Sequence, residues 1–156
     1  MSETLTQFGT SFQSKIIASL LSDIKFIQTI SDILNPKMFD SDSNKWLVKS
    51  VVDYYYEYKK QPTLEVIKYK IDEIDNDVLK SGVVDKLREV WKNIEATDLE
   101  FVQEQTLDFC KNQTLKNAIL SSVDLLENKD YDGIKSIIDE AMKAGTTRDL
   151  GHDYIT

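Results

Sequence analysis

Apolar residues recur every three to four positions along almost the whole chain, while only two prolines and five glycines stand anywhere in its 156 residues. A period near 3.6 puts one apolar stripe on each helix. Turn-rich β architectures need far more Gly and Pro punctuation. The chain therefore reads as all-α. Its length fits one compact domain, or one domain with an appended helical element, and suffices to bury a core without a metal or disulfide staple.

Phe12, Ile16, Ile17, Leu20 and Leu21 form the first stripe behind Ser11 as N-cap, predicting a helix over 11–22. Asp23 is placed to cap a second helix with Ile24, Ile27, Ile30 and Leu34 inward. It ends before Asn35-Pro36 because a residue preceding proline avoids the α region. After the loop 38–44, Leu47, Val51, Tyr54, Tyr55 and Tyr58 line a third helix that stops near "KKQPT". Thr63 caps a fourth carrying Leu64, Ile67, Ile71 and Ile74. A fifth spans about 77–95 with Val84, Leu87, Val90, Trp91 and Ile94 inward, and Gly82 blurs its start.

Thr97-Asp98-Leu99-Glu100 has capping-box spacing, and nothing after it breaks the helical pattern until Asn128. This long element changes face midway. Leu99, Val102, Thr106, Phe109 and Cys110 line one stripe; beyond the polar "KNQ" the stripe is Leu115, Ala118, Ile119, Val123 and Leu126. A short return helix carries Ile134, Ile137, Ile138, Ala141 and Met142 and ends at Gly145, a residue suited to the left-handed C′ position. The expected architecture is a compact helical globule (1–95) followed by an antiparallel helical hairpin (96–144). Two amphipathic helices cannot hide this much apolar surface alone. Leu115, Ile119, Val123, Leu126, Ile134, Ile138 and Met142 are therefore the candidate self-association surface.

Catalytic and cofactor signals are missing from the pattern. No Gly is followed by Lys, so there is no phosphate-cradling G-x-x-x-x-G-K-[ST] loop, and one His with one Cys falls short of a zinc ligand set. His152 beside Asp153 has the types of a base and its orienting acid, but it lies past the last helix, without rigid support. The acidic "DEIDND" of 72–77 departs from the Ca²⁺-loop spacing and reads as a solvated helix end. Cys110, on an apolar stripe, is a buried small hydrophobe, and a single cysteine suits a reducing compartment. No catalytic, cofactor-binding or metal-binding residue is assigned.

Charge and aromatics bear on partners. Nineteen basic against 27 acidic residues give a net charge of −8, which weighs against a surface built to grip phosphate backbones. No apolar run approaches the roughly 20 residues of a membrane span. In "VVDYYYEYKK" (51–60) Tyr54, Tyr55 and Tyr58 continue the core stripe, and only Tyr56 falls off it, as a candidate partner contact.

The segment "MFDSDSNKWLVKSVVDYYYEYKKQPTLEVI", the long helix, the return helix and the closing "LGHDY" occur in an order that resembles one known family. It is similar to the N-terminal domain of DnaB-type hexameric replicative helicases, in the form carried by the primase-associated helicase of T-even-like bacteriophages. Gln61-Pro62-Thr63 resembles that family's helix junction, and Gly151-His152-Asp153-Tyr154 resembles its exit into the linker before the motor. The resemblance implies a tier of a ring, a dimer or larger, that pairs through helical hairpins and offers docking surfaces to primase and helicase loader. It implies an infected bacterial host's cytoplasm as the location. It also implies that 145–156 opens a linker to a motor domain outside this segment, which would use ATP and Mg²⁺, this segment itself being no enzyme. The alternative is a free-standing phage replication adaptor, either a helicase loader or an inhibitor of a host replication protein, that uses the same helical surfaces.

Overall fold

The computed structural model describes residues 4–145. Among them are seven α-helices and two short 3-10 turns, with no strand: α1 (Thr10–Ser22), α2 (Ile24–Ile30), α3 (Asp42–Tyr58), α4 (Leu64–Asp72), α5 (Asp77–Lys92), α6 (Leu99–Glu127) and α7 (Tyr131–Lys143). Side-chain caps set most starts. Asp23 accepts from the amides of Lys25 and Phe26, Ser41 from Asn44, Thr63 from Val66, Asn76 from Leu79 and Asp130 from Gly133. Each satisfies amide groups that the first helical turn leaves without partners.

The centre of the molecule is α1. Ile16, Ile17, Ala18 and Leu20 are fully buried, and so are the polar Gln13, Ser14 and Ser19, because α2, α3, α5 and α6 all pack around this one helix. The core continues through Ile27, Ile30, Leu47, Val48, Val51, Val83, Val90, Val102 and Cys110. A polar clamp ties α1 to the approach of α3. The Gln13 amide donates to an Asp40 carboxylate oxygen at 2.8 Å, and its carbonyl accepts from the Asp40 amide and the Asn44 side chain, both at 3.1 Å. Ser14 donates across to Glu89 on α5.

Several sequence expectations need correction. The first helix is not capped by Ser11. It begins at Thr10, behind Gly9 at φ 93°, and no side chain caps it. Ile24 is exposed, and Phe26 takes its place against the core. Thr97 does not cap α6. The N-cap is Asp98, which makes no capping bond and instead accepts from Lys15 at 2.8 Å. Gly82 does not mark a boundary but lies inside α5, where a Cβ would stand 2.5 Å from the Ser43 hydroxyl, so the bare backbone is what lets α3 approach so closely.

At about 1.5 Å per residue the 29-residue α6 is roughly 44 Å long. Its first half buries Val102, Thr106, Phe109 and Cys110 against the globule, and its second half pairs with α7. The hairpin closes back on the globule at its end. Gly145 adopts φ 77°, is buried, and donates its amide to Asp32 at 3.5 Å; a Cβ there would meet Ile33 at 2.6 Å. No described helix is long and apolar enough to cross a membrane.

Candidate docking surfaces

The distal hairpin divides the stripe read from the sequence. Leu115, Ile134, Ile137 and Ile138 are half-buried and Ala118 and Ala141 buried, and Ala118, Ile137 and Ala141 line a cleft between α6 and α7. Ile119, Val123 and Leu126 instead lie open to solvent, 54%, 53% and 58% exposed, joined by Leu120 on α6 and by Met142 on α7. The seven candidates thus differ in exposure: Leu115, Ile134 and Ile138 are half-buried, while Ile119, Val123, Leu126 and Met142 are exposed.

The tyrosine cluster also departs from the expectation. Tyr54 and Tyr55 are half-buried, but Tyr58 is exposed rather than core, because α3 runs past the globule before Lys59 ends it in the left-handed conformation at φ 59°. Tyr58 packs against Tyr54 with ring centroids 4.5 Å apart and the rings tilted by 39°, and the nearby Glu57 carboxylate raises its hydroxyl pKa above the ordinary value. Together with Tyr69, Glu57, Glu65 and Glu73 they line an open acidic hollow between α3 and α4. Tyr56 is 47% exposed, yet its hydroxyl donates to the Ser31 carbonyl at 2.8 Å, so one end of the ring is tied to the close of α2.

A second groove, of about 640 Å³, lies between α4 and α5, and the sequence reading missed it. Trp91 was expected inside; it is 47% exposed, and the interior position beside it is filled by Val90. Leu64 and Ile71 from α4, with Val84, Leu87 and Trp91 from α5, form the apolar floor; Lys68, Arg88, Lys92 and Asp72 form the rim. The available signal was Arg88, one helical turn before Trp91, with Lys92 directly after it, since a tryptophan is rarely buried completely.

The other residues singled out in the sequence fall in the core, at helix ends or outside the described residues. Cys110 is fully buried, its thiol lies 3.7 Å from the Met38 sulfur, and burial pushes its pKa up to about 12. Asp72 closes α4 and Asn76 caps α5, so the acidic run is split between two helix ends. Among the described residues no three His, Cys, Asp or Glu side chains converge as a metal site. His152, the "GHDY" segment and the rest of 146–156 lie outside the described residues. In the Gln61-Pro62-Thr63 junction, Gln61 ties the turn to α1 by donating to the Leu20 carbonyl at 2.8 Å, Pro62 is buried and Thr63 caps α4. Comparison with known proteins finds no matching family model, no matching curated protein and no matching solved structure.

Proposed function

We propose that this chain is a helical self-association and docking domain, of the kind found at the N-terminus of DnaB-type replicative helicases of T-even-like phages. The observation that carries the reading is the uncovered row Ile119, Leu120, Val123 and Leu126 on α6, the helix that pairs with α7, with Met142 of α7 exposed as well. A contiguous apolar row of this kind is characteristic of a contact surface. Pairing of two hairpins would cover it symmetrically, the commonest closed arrangement of identical chains. In this reading the domain sets subunit register and presents primase or loader with several identical sites, raising effective concentration without strong individual contacts. ATP and Mg²⁺ chemistry belongs to a motor outside this segment.

Sedimentation across a wide concentration range tests the pairing. The chain should shift from monomer towards dimer or ring, and Ile119→Asp should weaken that association by about tenfold or more, since burying an isoleucine contributes roughly 1.5–3 kcal/mol. Because Ile119 is exposed in the single chain, the monomer's melting temperature should stay unchanged. A chain that remains monomeric throughout would rule the surface out. The helicase assignment has a separate test: a P-loop sequence encoded directly downstream supports it, and a stop codon leaves the free-standing adaptor.

A further inference from the structure

The groove between α4 and α5 is built differently from the rest of the surface. On α4 its lining follows the spacing Leu64, Lys68, Ile71, Asp72, and on α5 Val84, Leu87, Arg88, Trp91, Lys92. Each lining spans nine residues, and the apolar floor, from Leu64 to Ile71 and from Val84 to Trp91, extends over about 10 Å, or two helical turns. The volume, about 640 Å³, falls within the range of sites that receive side chains or small ligands. Exposed Trp with Arg at the edge of an apolar floor is also the composition of interface hot spots.

Charge identifies the occupant. The chain as a whole carries −8, yet this rim sets three cations against one carboxylate. Neither Lys68 nor Lys92 forms an ion pair with any described residue, and Arg88 has only Asp85, at 3.6 Å with both side chains about three-quarters exposed. From these features we infer that the α4/α5 groove docks an acidic amphipathic helix of a partner protein, its apolar side chains on the Leu64–Trp91 floor and its carboxylates on Lys68, Arg88 and Lys92. Helix-in-groove recognition supplies apolar anchors at i, i+3/i+4 and i+7, matching a two-turn floor. A nucleic-acid strand fits less well. The floor has a single aromatic ring among four aliphatic side chains, and Asp72 would oppose phosphate. The inference rests on the globule alone and stands independently of the hairpin pairing.

The test is fluorescence anisotropy with a labelled designed peptide carrying Leu and Phe at i, i+3/i+4 and i+7 and Glu elsewhere. Its control keeps the apolar residues and replaces Glu by Lys. The acidic peptide should bind the full chain, with affinity falling as salt is raised, and the lysine peptide should bind at least about tenfold more weakly. Arg88→Glu, at a side chain 75% exposed, should weaken the acidic peptide at least about tenfold while leaving the melting temperature and sedimentation unchanged. Trp91→Ala should abolish the complex. The inference is overturned if neither peptide binds, if both bind equally, or if Arg88→Glu has no effect. It is equally overturned if Trp91→Ala removes binding of single-stranded oligothymidylate or dissolves a self-associated form, since the groove would then hold nucleic acid or a second copy.

Discussion

Replacing Gln13 by alanine removes three hydrogen bonds at a fully buried position and leaves the Asn44 amide nitrogen without its acceptor. Stranding buried polar groups costs more than an average hydrogen bond contributes, so Gln13→Ala should destabilise the fold by roughly 1–3 kcal/mol in urea unfolding. An exposed helical glutamine such as Gln28 should change by less than about 0.5 kcal/mol. Cys110 offers a second check at this scale. Thiolate is the reactive form, and a thiol with its pKa raised to about 12 inside the core presents almost none of it at neutral pH. Labelling of the native chain by a disulfide reagent should therefore be slow and should follow the unfolding rate as denaturant is added. Rapid labelling would mean that α6 separates readily from α1. The burial of Cys110 follows from its apolar stripe, but the role of Gln13 is not written in the periodicity. Gln13 sits between apolar residues without belonging to their stripe, and its importance comes from a loop 27 residues away.

At the element scale, α6 is anchored by Asp98 reaching Lys15 on α1. The hydrogen bond from Lys15 holds the Asp98 carboxyl below its ordinary value of 3.8. A carboxylate depressed in the folded state stabilises above its unfolded pKa, and that contribution is lost as pH falls through the folded value. Asp98→Asn should therefore melt slightly below the parent chain at neutral pH, with the difference vanishing in acid; a difference that grows in acid would contradict the assignment. Helix existence was legible throughout from the 3.6 period, and so were the Asp23 and Thr63 caps, because capping is local. The errors arose where tertiary contact decides the outcome. The hydroxyl of Thr97 was available, but Asp98 became the boundary and its carboxylate turned to Lys15 instead of capping. Tyr58 and Trp91 continue their stripes in sequence, yet each helix runs beyond or beside the core at that point, so the same period ends in solvent. The candidate hairpin surface was half legible. Periodicity identified the apolar residues, but not which of them would stay exposed.

For the whole molecule, a helix buried on nearly every side near the N-terminus makes the globule one cooperative unit rather than a chain of independent hairpins. A chain ended at residue 96 keeps α1 to α5 but loses the α6 face that covers part of α1. Such a truncation should retain helical circular dichroism while losing a sharp thermal transition; a sharp transition would show that α6 is dispensable to the core. The same burial has a temporal side. During synthesis α1 emerges before α2 to α6, and its bonds to Glu89 and Asp98 span 75 and 83 residues of sequence. For much of translation the central helix of the globule has none of its late partners, and at about 5–20 residues per second that interval lasts several seconds. The nascent chain must keep this helix soluble until the segment that will cover it has left the ribosome.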